Sequence, residues 1–178
     1  DVISVGEIRD VETAKIAIQS ALTGHLLFST LHTNTAAESF IRLKEMGVEP
    51  YLVSSSILGI ISQRLIKKLC ANCKIPDERA LEKLEASHYP AQPSADAVFY
   101  TAQGCDQCNQ IGYKGRTVAY EYLIPNEEIK RGSIRNLSAS ELRSLAQKQQ
   151  MRSMEQIALL KAEQGLTSVD EIIPLMSV

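Results

Sequence analysis

The chain has no excess of charge of either sign. Its 178 residues carry 19 lysines and arginines against 21 aspartates and glutamates, a formal net charge of -2. Phosphate binding wants a surplus of cations, so this balance gives no reason to expect nucleic acid or an anionic membrane as partner. No apolar run approaches the roughly 20 residues of a membrane span. The first residues are not expected to be a signal peptide: Asp1, Glu7 and Asp10 stand where a basic segment should be, and no cleavage site follows. There is no internal repeat. No G-x-x-x-x-G-K-[ST] occurs, nor any other glycine-rich stretch that could cradle phosphates. An initiator methionine is missing too, and a core-type strand begins at residue 2, so the chain is expected to be a fragment of a longer protein. With 44% hydrophobic and 22% charged residues it has an ordinary globular balance, which argues against disorder.

What is present begins with DVISVGEIRD. Residues 2–5 read as a short strand that ends in Gly6 and Glu7. Asp10 can cap a helix over VETAKIAIQSAL, with Gly24 as its stop. LLFSTL, residues 26–31, reads as a second strand ending at His32. After a polar loop, AAESFIRLKEM reads as a helix stopped by Gly47 and Pro50. YLVSSSILGIISQRLIKKL then reads as a long amphipathic helix reaching Cys70. Strand, helix, strand, helix is the α/β order with a parallel sheet. Residues 70–120 hold all four cysteines, three glycines and little periodicity, with a short helical stretch in ERALEKLEAS. From Ser138 helices return: SASELRSLAQKQQ, with Ser138 and Glu141 at capping-box spacing, then MRSMEQIALLKAEQG and SVDEIIPLM.

In open α/β sheets, ligands bind outside the carboxyl ends of the strands. Glu7 and His32 both lie just past such an end, so they are expected to meet at one edge. A carboxylate there can orient a water or hold Mg²⁺, and Gly6 lets the backbone come close to a phosphate. An imidazole there can touch a terminal phosphate and report its loss. The plain alternative makes Glu7 and Arg9 solvated charges at a strand end. Arg64, Lys67, Lys68 and Lys74 read as a solvated helix face.

The cysteines form two pairs, Cys70 with Cys73 and Cys105 with Cys108. Four thiolates in two CxxC knuckles suit a tetrahedral structural Zn²⁺. A redox dithiol is the alternative, but no thioredoxin-like βαβ pattern surrounds either pair.

VGEIRD, TGHLLFSTLHTN, MGVEP and SQRLIKKLC, in this order, resemble the type II secretion and type IV pilus assembly ATPases. The resemblance runs from residue 2 to about residue 165. It implies an α/β chain: residues 1–69 as the second half of a RecA-like ATPase core, residues 70–120 as a tetracysteine zinc insert and residues 121–178 as a small C-terminal helical region. It implies a hexameric ring burning Mg²⁺-ATP, with structural Zn²⁺ on Cys70, Cys73, Cys105 and Cys108. GEIRD would be the Walker B segment, with Glu7 as the catalytic acid. His32 would be the phosphate sensor, supported by Gly6, Arg9, His25 and Thr30. GYKGR makes Arg116 a candidate phosphate contact, and QRL makes Arg64 a candidate subunit or domain contact. The implied partners are further copies of the chain and an inner-membrane platform protein, with no nucleic acid. The implied location is cytoplasmic, peripheral to the inner membrane.

In that family a P-loop precedes Walker B, so this chain alone is expected to hydrolyse negligible ATP. The sequence departs from the family pattern at Ala158, Ile111 and Val118, all outside the expected ATP site. Two other readings stand beside the motor: a zinc-ribbon binding module using the basic cluster, and an inactive scaffold. The first leaves Glu7, His32 and the apolar strands unexplained.

Overall fold

The computed structural model describes residues 1–177. Its contacts group the chain into two units, each made of two separated segments. The first is Asp1–Ser62 with Tyr122–Met151, and the second is Gln63–Glu121 with the segment from Arg152 onward.

The first unit opens on two short strands, β1 (Val2–Ser4) and β2 (Leu26–Phe28), which pair in parallel with Val2 opposite Leu26 and Ser4 opposite Phe28. Parallel strands need a crossover, and α1 (Val11–Leu22) supplies it. Asp10 caps α1, its Oδ1 accepting the Thr13 N–H at 2.8 Å, while Ala14, Ala17 and Ile18 turn inward. The small residues let the helix lie close against its neighbours.

Helix α2 (Glu38–Glu45) and helix α3 (Pro50–Ser56) follow, the latter started by its own proline. Helices α5 (Glu127–Ile134) and α6 (Ala139–Lys148) complete the unit's core with α1, α2 and α3. Phe40, Val53, Leu123, Ile129 and Leu142 are its fully buried centre.

Ser138 and Glu141 form the expected capping box at the start of α6. Replacing Ser138 with alanine leaves an orphan helix N–H and should lower stability by about 1 kcal/mol. Urea unfolding of the variant against wild type reads that loss directly.

The expected long helix over residues 51–69 does not form. The chain leaves α3 at Ser56 and runs as β3 (Ile60–Leu69). Burial along β3 follows a two-residue rhythm at its start, with Ser62 buried between exposed Ile61 and Gln63. Adjacent β-branched Ile60 and Ile61 favour that geometry over a helix. Gly59 also matters at the break: a Cβ there would sit 3.1 Å from the Tyr122 ring.

The partner of β3 is β6 (Tyr113–Leu123), a strand hidden in the stretch read as aperiodic. TVAYEYL is rich in β-formers, and Ala119, Glu121 and Leu123 point inward on alternate positions. Arg64, Lys67 and Lys68 therefore stand on a strand, not on a helix face.

The second unit adds the small antiparallel pair β4 (Ile75–Pro76) and β5 (Tyr100–Thr101). Helices α4 (Ala80–Ala86), α7 (Met154–Glu163) and α8 (Val169–Ile172) pack with Ile66, Phe99 and Ala119 into its core. Five of the buried residues there are alanines (Ala80, Ala91, Ala119, Ala158, Ala162). Such a core buries little apolar area per residue. Among the described residues, no helix is long and apolar enough to cross a membrane.

Candidate functional site

Parallel pairing aligns the carboxyl ends of β1 and β2 and brings the residues beyond them together. The ladder continues past the strands, with the Val5 N–H bonded to the Phe28 carbonyl and the Ile8 N–H to the Thr30 carbonyl. Between them the Thr30 hydroxyl donates to the Gly6 carbonyl at 2.8 Å. Beyond Gly6 the two chains present Glu7 and His32 to one another, with His32 Nε2 2.7 Å from Glu7 Oε1. The other carboxylate oxygen pairs with Arg9 at 2.5 Å.

Glu7 is mostly covered, its side chain 19% exposed, whereas Arg9 and His32 are 75% and 88% exposed. Oε1 is shielded from solvent and has no aligned hydrogen-bond donor, despite the nearness of the imidazole. The Glu7–His32 contact is thus one of charge, complete only when the imidazole is protonated.

Hydrogen bonding from Arg9 holds the Glu7 carboxyl below its usual 4.5, against the opposing pull of burial. A depressed folded value means this contribution to stability is full above the unfolded pKa. It is lost as pH falls through the lower folded one. At neutral pH the site therefore holds an ionised carboxylate, the donor type that Mg²⁺ or its bound water takes.

A cavity of about 180 Å³ opens here, lined by Glu7, Arg9, His32 and, from α2 and the residue that ends it, Arg42 and Met46. Arg42 was not singled out by its sequence. The available signal was its place on the helix that follows the His32 loop. It is held loosely, 3.7 Å from Glu45.

The other expected support residues lie elsewhere. His25 stands at the opposite end of β2, its Nδ1 3.2 Å from the Ser20 carbonyl, and the structure does not bring it to Glu7. A Cβ on Gly6 would meet nothing within 4 Å, so open space rather than crowding surrounds that backbone. Arg64 is half-buried on β3 and Arg116 exposed on β6, both in the second unit.

The second unit gathers the four cysteines. Their sulfurs lie within 4.8 Å of one another, with Cys70, Cys73 and Cys108 buried and Cys105 partly exposed. Three of the spacings are Cys70–Cys105 3.9 Å, Cys73–Cys108 3.8 Å and Cys105–Cys108 3.7 Å. Ligands 2.3 Å from a tetrahedral Zn²⁺ sit about 3.8 Å apart, so the spacing fits zinc. A disulfide requires about 2.05 Å.

Each knuckle closes on itself: the Cys73 N–H bonds the Cys70 carbonyl and the Cys108 N–H bonds the Cys105 carbonyl. Cys108 Sγ accepts from the backbone N–H of Cys105 at 3.3 Å and of Gly112 at 3.2 Å. Gly112 has φ +77, and a Cβ there would lie 2.5 Å from Ala102 Cβ, so a side chain is excluded. Without a metal, burial pushes the Cys73 thiol up to about 12, while the Asn72 amide helps bring Cys105 down to about 6. A Zn²⁺ held by the four sulfurs would remove that conflict, because a coordinating thiol is deprotonated outright.

The overall fold matches that of solved bacterial ATPases. The chain superposes on the X-ray structure of the Legionella pneumophila ATPase DotB with TM-score 0.62 and 24% identity, covering 99% of this chain and 38% of that one. At that identity the likeness speaks for the fold alone. Sequence goes further, since residues 1–174 match the family described as Type II/IV secretion system protein, and the chain belongs to that family. It is 43% identical over 176 residues to the type IV pilus assembly ATPase PilB of Thermus thermophilus, covering 97% of this chain and 20% of that protein. It is 42% identical over 177 residues to the type II secretion system ATPase E of Vibrio cholerae, covering 97% and 34%. The chain therefore spans between 20% and 34% of the length of these curated relatives.

Proposed function

We propose that this chain is the Walker B and zinc-bearing part of a hexameric ATPase that powers pilus extension or protein secretion. The observation that carries the reading is the meeting of Glu7 and His32 at the carboxyl edge of parallel β1 and β2. In this reading β1 and β2 belong to a RecA-like core. Glu7 holds the Mg²⁺-bound or attacking water of ATP, and His32 senses the terminal phosphate. Arg9 keeps Glu7 ionised and aligned, and Thr30 ties the two strand ends together. Arg64 acts at a boundary with another copy or domain, and Arg116 as a phosphate contact near such a boundary. The four cysteines hold a structural Zn²⁺ that stiffens the 70–112 segment and takes no part in hydrolysis.

The cavity at Glu7 is about 180 Å³, below the roughly 300 Å³ at which small-molecule sites begin. In this reading the phosphates find their cradle in a P-loop outside this chain. The motor works at the cytoplasmic face of the inner membrane and passes its motion to a platform protein.

Two assays on ATP turnover test this reading. The full-length protein should hydrolyse Mg²⁺-ATP while residues 1–178 alone show no turnover above buffer. In the full-length protein, His32→Asn should cut kcat by about 10²-fold, the typical cost of one preorganised polar group. Equal turnover in the His32 variant and wild type would remove His32 from the site.

A further inference from the structure

The four thiolates are not equally protected. Cys70, Cys73 and Cys108 are buried, and Cys108 Sγ receives two backbone N–H groups. Cys105 is the one ligand candidate left partly exposed. Over its sulfur lies the side chain of Asn72, an exposed residue in the middle of the first knuckle, with Nδ2 donating to Cys105 Sγ at 3.6 Å. The donor thus comes from one CxxC and the acceptor from the other, so this bond spans the two knuckles.

We propose that Asn72 is a positioning residue of the metal site, the outer-shell donor that shields the Cys105 sulfur and sets how fast Zn²⁺ leaves. The proposal rests on the zinc reading above. The physical case is one of access and charge. A bound thiolate is lost when it is protonated, or attacked by a chelator or an electrophile. The corner open to solvent is where such attack begins. An N–H directed at that sulfur spreads its negative charge and occupies the approach. Cys108 gets the same service from backbone that no side-chain substitution can remove. Cys105 gets it from a side chain, which makes this corner tunable. Outer-shell partners of metal ligands typically shift affinity by about 10- to 100-fold.

The experiment uses the full-length protein purified with its metal. Zinc content is measured first, by elemental analysis of wild type, Asn72→Ala and Asn72→Asp. Release is then followed with a chromogenic chelator in excess. The expected result is full zinc occupancy in all three proteins, with release about 10-fold faster for Asn72→Ala. Asn72→Asp, which keeps the shape but replaces the donor with a like charge, should be faster still.

Cobalt substitution adds a readout that a mere folding defect would not give. The ligand-field bands stay those of a tetrahedral S₄ site, while the sulfur-to-cobalt charge-transfer band moves to lower energy without the Asn72 N–H. Zinc present in wild type with the same release rate in all three proteins would overturn the proposal and leave the zinc reading standing. Absence of zinc from wild type, with all four thiols reactive, would overturn both.

Discussion

Replacing Cys108 with serine should strip the metal from the protein and unfold the 70–112 segment. Cys108 is 4% exposed, and its sulfur is where two backbone N–H groups and the spacing to Cys73 and Cys105 converge. A serine oxygen is a poor zinc ligand and cannot reach the position of the larger sulfur. Structural zinc contributes on the order of 10–16 kcal/mol of apparent binding free energy at pH 7. Nothing nearby replaces it: the adjoining core is alanine-rich, and β4 and β5 are two residues each. The expected outcome is zinc content near zero by elemental analysis. Hydrogen exchange should show lost protection across residues 70–112, with protection retained in α1, α2 and α3. Chelation of wild-type protein should reproduce the pattern. Full protection without zinc would mean that the cysteines are ordinary packing residues.

Much of the fold was legible because the signals are local. Asp10 and Gly24 bracket α1 with no help from distant residues, and Ser138 with Glu141 starts α6. The meeting of Glu7 and His32 was legible for a topological reason. Two strands joined by one helix run parallel, so the residues that follow them leave at the same edge.

The misreading of residues 51–69 has the opposite cause. Its apolar positions fit a helical period about as well as a strand period, and what decides is a partner far along the chain. Ile60–Leu69 becomes a strand because Tyr113–Leu123 lies beside it. Each segment carries local strand formers, but neither says by itself which segment it will pair with. Side-chain detail was also out of reach. Glu7 binding Arg9, Arg42 lining the cavity, and Asn72 bridging the knuckles each depend on a few ångströms of backbone placement.

The second large effect concerns Glu7 itself. Glutamine keeps its size and can still bond Arg9 through its carbonyl, but carries no negative charge. It can neither hold Mg²⁺ strongly nor take a proton from water. A positioned general base typically contributes about 10²–10⁴-fold to rate, so Glu7→Gln should lower kcat by that factor. Nucleotide affinity should change little, because the main cradle for the phosphates is assigned to a P-loop outside this chain. Fold should be preserved, since Glu7 lies beyond the strand end and outside the buried core.

Steady-state ATP hydrolysis by the full-length protein, wild type against Glu7→Gln, with nucleotide binding measured in parallel, tests the motor reading most directly. The account predicts a collapse of turnover with ATP still bound. Turnover equal to wild type would contradict it, and Glu7 would then be a charged residue at the end of a strand.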